Sequence, residues 1–460
     1  MPVKIACIGA GYVGGPTMAV MAGKADVICT VCDISQKRVD EWNSDVLPIF
    51  EPGLKEYVEE FRGSKLFFST DIETAVVEAE IVFLAVNTPT KKSGIGSGMS
   101  CDLTYLESAA RSIATICARH NCASKIVVEK STVPVGTATT LQQIMSCLAP
   151  DCTFHILNNP EFLAEGTAIR DLEMPDRVLV GSESTEEGRK ALKTLTNVYS
   201  QWIPEERILC ISTCTSELSK LVANAFLAQR VSSINSISAL CERVDGNINE
   251  VSLAIGMDNR IGSKFLKSSV GFGGSCFQKD VLNLVYLCRY HGIDEVADYW
   301  EQVILMNDFQ KRRFAENIVK TLFHTITNKK IALLGFAFKK DTSDTRESAA
   351  ICVAQHLLKE KPNLHIYDPM VPEEHMKWEL EQVECDFSKV HIDESAYAAC
   401  EGAHGVAIIT EWDEFKTIDW QRVYDGMVKP AFVFDGRNIL DHELLRGIGF
   451  KVHGIGTRHE

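Results

Sequence analysis

The sequence predicts an α/β protein in which two doubly wound, parallel-sheet domains are joined by a long central helix. Three observations carry this. The first half alternates short β-rich runs with amphipathic stretches, the rhythm of βαβ units. The phrase "KIACIG" at 4–9 returns as "KIALLG" at 330–335, followed by the same rhythm. Between the two, residues 215–244 run without a Gly or a Pro.

In chain order, "KIACIGA", "DVICTVCD", "AEIVFLAVN" and "KIVVEKST" read as strands, being short, apolar and rich in β-branched residues. "SQKRVDEWN", "LTYLESAARSIATICARH" and "TATTLQQIMSCLA" read as helices between them. The 215–244 stretch is apolar on more than one face, which predicts a long helix buried on several sides. A linking core helix and a helix that also packs on a partner subunit are both compatible with it. After 330, "LHIYDP", "GVAIITEW" and "AFVFDGR" are again strand-like. The expected partition is 1–212, 213–325 and 326–460. "KKSGIGSGMS" at 91–100 has the composition of a mobile loop.

Composition narrows the function. A chain of 460 residues with 45% apolar and 24% charged residues is an ordinary globular protein of two or three domains. A net charge of −15 argues against a broad nucleic-acid face. The uncharged run from Ile5 to Gly23 has the length of a membrane span, but its five glycines and Pro16 fit a strand, a turn and a helix better. No membrane partner and a cytoplasmic location are expected. The 16 cysteines are scattered, and Cys29 and Cys32 of "CTVC" read as buried strand thiols, not a redox or zinc pair. No metal site is expected.

Two stretches carry chemistry. "GAGYVG" places Gly9, Gly11, Tyr12, Val13 and Gly14 after a strand and at the start of a helix. Glycines there let a pyrophosphate approach the free N–H groups of the helix. Asp33 ends the next strand, where a carboxylate accepts from ribose hydroxyls and repels a 2′-phosphate. This Rossmann-like pattern points to NAD, although Arg38 nearby can accommodate a 2′-phosphate. In the second half "GFAFKK" lacks the second glycine of that pattern. Lys339 and Lys340 there either bind another phosphorylated ligand or form a solvated pair.

The second stretch is "VGFGGSCFQKD". Cys276 follows Gly271, Gly273 and Gly274 and opens a helical pattern, with Lys279 next to it and Asp280 one turn on. A buried, inert cysteine is one reading and an activated thiol the other. Beside a nicotinamide cofactor, an activated thiol suits aldehyde oxidation. Sulfur adds to the carbonyl, hydride leaves the thiohemiacetal, and water cleaves the thioester. Asp280 is placed to orient or deprotonate that water.

Eight ordered motifs add to this: "GAGYVGGPT", "VNTPT", "EKSTVPVG", "NPEFLAEGTAI", "ELSKLVANAFLAQR", "SVGFGGSCFQKD", "GFAFKKDTSDTRES" and "FDGRN". By them the chain resembles the UDP-glucose/GDP-mannose dehydrogenase family, and within it the UDP-glucose 6-dehydrogenases, over essentially its whole length. The resemblance implies two Rossmann-like domains around a central helical dimerisation segment, oxidation of UDP-glucose to UDP-glucuronate with two NAD⁺, and a homo-oligomer, dimer or hexamer. It implies Cys276 as nucleophile, Lys220 and Asn224 at the reacting end of the sugar, Asp280 and Glu161 handling water and protons, and Thr132 placing the water. For NAD it implies Gly9, Gly11, Gly14, Asp33 and Arg38, with Thr88, Ser131, Thr132, Glu165, Lys279 and Arg346. For the UDP-sugar it implies Glu161, Phe162, Leu163, Ala164 and Glu165, then Phe265, Leu266, Lys267, Phe272, Gly273, Phe338, Lys339 and Arg437. Arg260 is expected to reach a neighbouring subunit's site. Other nucleotide-sugar dehydrogenases, acting on GDP-mannose or a UDP-N-acetylhexosamine, are the nearest alternatives. A two-electron hydroxyacid dehydrogenase and a non-catalytic nucleotide sensor lie further off.

Overall fold

The computed structural model describes residues 2–382 and 387–457. It divides into two compact units, Met1–Ala223 and Asn224–Glu460.

The first unit is built on eight strands: β1 (Val3–Ile8), β2 (Val27–Cys32), β3 (Leu66–Ser69), β4 (Ile81–Leu84), β5 (Ser124–Glu129), β6 (Thr153–Asn158), β7 (Val178–Ser182) and β8 (Ile208–Ser212). Their order is β3-β2-β1-β4-β5-β6-β7-β8. Alternate residues feed two cores. Ile5, Cys7, Val31 and Phe83 pack on one face, and Ala6, Ile8, Val82 and Leu84 on the other. A sheet buried on both faces needs continuous apolar strands, which is why β4 reads "IVFL" and not as an alternation. One pairing departs from the all-parallel expectation. The loop after β6 stays at the carboxyl end of that strand, and β7 enters from there, antiparallel. Cys29 and Cys32 are the buried strand thiols that their setting predicts, and burial pushes both up to about 12.

The second unit repeats the plan with β9 (Lys330–Leu334), β10 (Asn363–Tyr367), β11 (Val390–Ile392), β12 (Gly405–Ile408), β13 (Phe432–Asp435) and β14 (Lys451–Gly454). The order is β11-β10-β9-β12-β13-β14, all parallel. Helix Asp294–Thr321 packs on this sheet's core through Phe314, Ala315 and Ile318. The repeated "KI…G" phrase has a repeated purpose. Gly9 and Gly335 each end the first strand of a sheet with positive φ, +110° and +97°. An added Cβ would lie 2.5 Å from the Ala85 carbonyl at the first and 2.4 Å from Thr410 Cβ at the second.

The long helix is Thr213–Val244, 32 residues. It is buried through Leu221, Ala225, Ala228, Ile234 and Cys241, yet leaves Phe226, Ile237, Leu240 and Val244 exposed. Residues 91–100 close on themselves. Lys91 N–H donates to Ser100 O (2.9 Å) and Gly98 N–H to Lys91 O (2.8 Å), while Gly94, Gly96 and Gly98 supply the positive φ values of its turns. Among the described residues no helix is long and apolar enough to cross a membrane.

Asp368, just after β10, stands where Asp33 stands after β2, but its carboxylate is fully used. Oδ2 accepts from Phe336 N–H (2.6 Å), Ala337 N–H (2.9 Å) and Trp412 Nε1–H (2.9 Å); Oδ1 accepts from Met370 N–H (2.9 Å) and Val371 N–H (3.0 Å). Asp368→Ala leaves five donors to find other partners, most of them buried, and is expected to destabilise the chain by more than about 3 kcal/mol. Denaturant unfolding monitored by circular dichroism checks this.

Candidate active site

In the first unit the glycine loop is built to receive a pyrophosphate. The helix that it opens is Gly14–Lys24. An added Cβ at Gly14 would lie 2.1 Å from Gly9 O, whereas at Gly11 it would meet nothing within 4 Å, so Gly11 faces open space. Ala10 fixes the loop from both sides: its N–H donates to Asp33 Oδ2 (3.0 Å) and its carbonyl accepts from Trp42 Nε1–H (2.9 Å). Asp33 Oδ1 accepts from Ser35 N–H (2.9 Å). Each Asp33 oxygen thus keeps acceptor capacity for a ribose hydroxyl, which Asp368 has surrendered. Arg38 has its backbone N–H on the Ser35 cap, and the residue is half-buried. The residues fit NAD.

The neighbouring strand ends are tied together by hydroxyls and carboxylates. Thr88 Oγ1 donates to Thr132 O (2.8 Å), and Ser131 Oγ to Val86 O (2.6 Å). Tyr12 donates its hydroxyl to Glu51, which also accepts from Gly166 N–H (2.9 Å) and Ala168 N–H (2.6 Å). Glu51 therefore joins the glycine loop to the "EGTAI" segment that carries Glu165. Glu217 accepts from Gly136 N–H (2.7 Å) and Ala138 N–H (2.9 Å), capping helix Thr137–Leu148 directly after the Ser131–Thr132 loop.

Glu161 follows β6. Its Oε1 accepts from Phe162 N–H (2.8 Å) and Leu163 N–H (3.0 Å), and its Oε2 lies 2.8 Å from the buried Lys130 Nζ. Burial pushes this carboxyl up, but Lys130 and the two N–H groups outweigh it and hold it below its ordinary value. Lys220 Nζ sits 5.1 Å from the centroid of the Phe162 ring, and Arg177 covers the same ring at 3.8 Å. Ala164 N–H donates to Asp171 (3.0 Å), shaping the Phe162–Glu165 segment. On β5, Glu129 bonds to Asn158 Nδ2 (3.1 Å), and burial, with Glu217 beside it, raises its carboxyl to about 8.

In the second unit Cys276 is exposed at the N-cap of helix Phe277–Tyr290. Its carbonyl accepts from Asp280 N–H (3.0 Å), which puts thiol and carboxylate one turn apart. Asp280 is buried. Its Oδ2 accepts from Asn224 Nδ2–H (2.6 Å), and its Oδ1 lies 3.6 Å from Lys279 Nζ. The glycines before the thiol make room for the chain itself. An added Cβ at Gly273 would lie 2.5 Å from Glu347 O, and at Gly274 2.9 Å from the Phe338 ring. Gly274 N–H donates to Arg346 O (3.0 Å). Phe272 packs edge-on against Phe277 at 5.6 Å; its N–H donates to Asn307 Oδ1 (2.8 Å) and its carbonyl accepts from Asn307 Nδ2–H (3.0 Å). Phe265, with φ +61°, places its ring 6.4 Å from Phe277. Leu266 is buried and Lys267 exposed beside it.

The lysine pair divides. Lys340 pairs with Asp413 (2.7 Å), while Lys339 extends along the Phe338 ring at 5.6 Å. Arg437 donates to Ile409 O (2.5 Å) and Phe338 O (3.0 Å). Asp435 shapes the turn that presents Arg437, accepting from Arg437 N–H (3.1 Å) and Leu440 N–H (2.8 Å). Arg346 folds back on Asp344 (2.8 Å), and Arg260, exposed, on Asp258 (2.6 Å). Among the described residues no group of His, Cys, Asp and Glu has the arrangement of a metal site.

Residues 3–203 match the NAD binding domain of the UDP-glucose/GDP-mannose dehydrogenase family, 214–309 its central domain and 332–442 its UDP binding domain. Over 469 aligned residues, 99% of this chain and 97% of the other, it is 57% identical to UDP-glucose 6-dehydrogenase 5 of Oryza sativa subsp. japonica. The chain belongs to the UDP-glucose/GDP-mannose dehydrogenase family. UDP-glucose 6-dehydrogenase 1 of Glycine max is as similar, at 57% with the same coverage. Among solved structures, the UDP-glucose dehydrogenase of Pyrobaculum islandicum superposes with a TM-score of 0.86 at 28% identity, covering 99% of this chain and 98% of that one. In the family's terms the glycine loop, Asp33, Thr132 and Glu161 lie in the NAD binding domain. Lys220, Asn224, Cys276 and Asp280 lie in the central domain, and Phe338, Lys339 and Arg437 in the UDP binding domain.

The spare acceptor capacity of Asp33 generates a prediction for this family member. Asp33→Asn is expected to weaken NAD⁺ binding by about tenfold, the worth of one charge-assisted hydrogen bond. It should also narrow the preference over NADP⁺. Titration of cofactor fluorescence or heat measures both.

Proposed function

We propose that this chain catalyses the NAD-dependent, four-electron oxidation of UDP-glucose to UDP-glucuronate through a covalent bond to Cys276. The observation that carries the reading is the thiol's setting: exposed at a helix N-cap, one turn before a buried aspartate that is held in turn by Asn224. A two-electron alcohol dehydrogenase needs no such nucleophile.

NAD, held by Gly9, Gly11, Gly14, Asp33, Arg38, Thr88, Ser131 and their neighbours, supplies a hydride acceptor for each of the two oxidations. Lys220 stabilises negative charge on the sugar oxygen as the C6 alcohol becomes an aldehyde. Cys276 Sγ then bonds to C6, giving a thiohemiacetal, and loss of the second hydride leaves a thioester on the protein. Asp280, Glu161 and Thr132 orient the water that releases the acid and restores the thiol. Lys339 and Arg437 are the cations for the diphosphate. Phe265, Phe272 and Phe338 give apolar contact to the sugar nucleotide.

The three-part division at about 212 and 325 suits this chemistry, with cofactor, nucleophile and nucleotide assigned to successive segments. The exposed Phe226, Ile237, Leu240 and Val244 of the long helix support self-association, and Arg260 is assigned to a neighbouring subunit's site. A cytoplasmic location, with neither membrane nor nucleic acid as partner, fits the net charge of −15.

Two NADH per UDP-glucose consumed, with no aldehyde released, is the expected stoichiometry, read by absorbance and product analysis. One NADH per turnover would point instead to a two-electron dehydrogenase. Cys276→Ser is expected to lower formation of the acid by more than about a thousandfold while leaving cofactor binding intact. A panel with GDP-mannose and UDP-N-acetylhexosamines reads the sugar preference.

A further inference from the structure

The pairing of Glu161 with a buried lysine is not among the roles assigned above. Lys130 is 4% exposed, follows β5 directly, and reaches across to the loop after β6. Its Nζ lies 2.8 Å from Glu161 Oε2 and donates to Asn159 Oδ1 (3.2 Å). Asn159 is itself fixed, accepting from Tyr199 OH (2.6 Å) and donating to Leu179 O (2.7 Å). The other Glu161 oxygen is taken by the N–H groups of Phe162 and Leu163. Glu161 Oε2 is itself buried, with the Lys130 ammonium 2.8 Å away, so the ion pair fixes the carboxylate from its inner side. The titratable groups facing this pair are Tyr199, from helix Glu186–Tyr199, and the Cys7 thiol of β1, which burial pushes upward and Lys130 lowers. Glu129, the neighbour of Lys130, instead bonds to Asn158 and faces Glu217.

We propose that Lys130 is a positioning residue that locks Glu161 as an aimed carboxylate, and that it acts on the reaction only through Glu161. A carboxylate held by an ammonium and two amides is a weak carrier of protons and a strong, fixed acceptor. The Glu161 side chain is 14% exposed, and its fixed position is the means of orienting the water that attacks the thioester. Burial works against the charged form of Glu161 and the Lys130 ammonium works for it, so removal of Lys130 weakens the acceptor. This rests on the reading of Glu161 as a group acting on that water.

The test compares pH profiles of kcat for Lys130→Met, Lys130→Arg, Glu161→Gln and the double variant Lys130→Met/Glu161→Gln. Lys130→Met is expected to move the acid limb upward by roughly 1–3 pH units, the size of the lost ion-pair contribution. Its rate should climb as pH rises and Glu161 ionises, and Lys130→Arg should restore the limb. Lys130→Met should cost nothing further in the Glu161→Gln background. A uniform loss at every pH, or multiplicative losses in the double variant, would overturn the proposal. If Lys130→Met does not fold, the double variant carries neither buried charge and still gives the additivity result. Infrared difference titration of the wild type against Glu161→Gln reads the carboxyl without turnover, so it decides the point even if UDP-glucose is not the substrate. A midpoint below the ordinary carboxylate range is expected, and one at or above that range contradicts the proposal.

Discussion

Parallel strands send all their carboxyl ends to one edge of a sheet, and most of the candidate site residues outside the helices depend on that constraint. In the first unit Gly9 follows β1, Asp33 β2, Thr88 β4, Ser131 and Thr132 β5, and Glu161 β6. In the second, Phe338 and Lys339 come after β9, and Arg437 after β13. The strands themselves are continuous apolar runs, because both faces of each sheet are covered. Polar function therefore collects in the residues just past their ends. The antiparallel β7 fits the same logic, since the loop after β6 stays at the functional edge and leaves Glu161 and Glu165 there.

Groups at strand ends are useful only if they are held still, and the chain holds them with buried polar bonds across long sequence separations. Glu51 joins Tyr12 to Gly166 and Ala168; Glu217 caps the helix after Thr132; Asn224 holds Asp280. Asp368 shows the same residue type turned wholly to structure. It occupies the second unit's counterpart of the Asp33 position, and five N–H donors exhaust it. Two sheets of the same design thus diverge in function through the saturation of one carboxylate. Phe338 of "GFAFKK" adds a structural role there, since its ring packs on Gly274 beside the thiol.

Much of this was legible in the sequence. The echo of "KIACIG" in "KIALLG" located both first strands, because a tight turn after a buried strand demands the same residues each time. The thirty residues without Gly or Pro lie within the long helix of 32. Gly9, Gly11, Gly14 and Asp33 were readable because their spacing encodes a turn and a distance. Lys130, Glu51, Glu217, Asn307 and Asp368 were not, because each is a single polar residue whose partner is set by tertiary packing. Gly273 and Gly274 stand out in the sequence only as a run before the thiol; the Glu347 carbonyl and the Phe338 ring, distant in sequence, are what leave them no room for side chains.

The central claim is that the second pair of electrons leaves a carbon already bonded to Cys276. The most direct measurement is acid quenching of the enzyme during turnover with UDP-glucose and NAD⁺, followed by proteolysis and mass spectrometry of the peptide that contains Cys276. The account predicts a population of that peptide carrying the sugar nucleotide as an acyl adduct on sulfur, absent when NAD⁺ is withheld. An enzyme that releases UDP-glucuronate at full rate, with this peptide unmodified at every quench time, would contradict it.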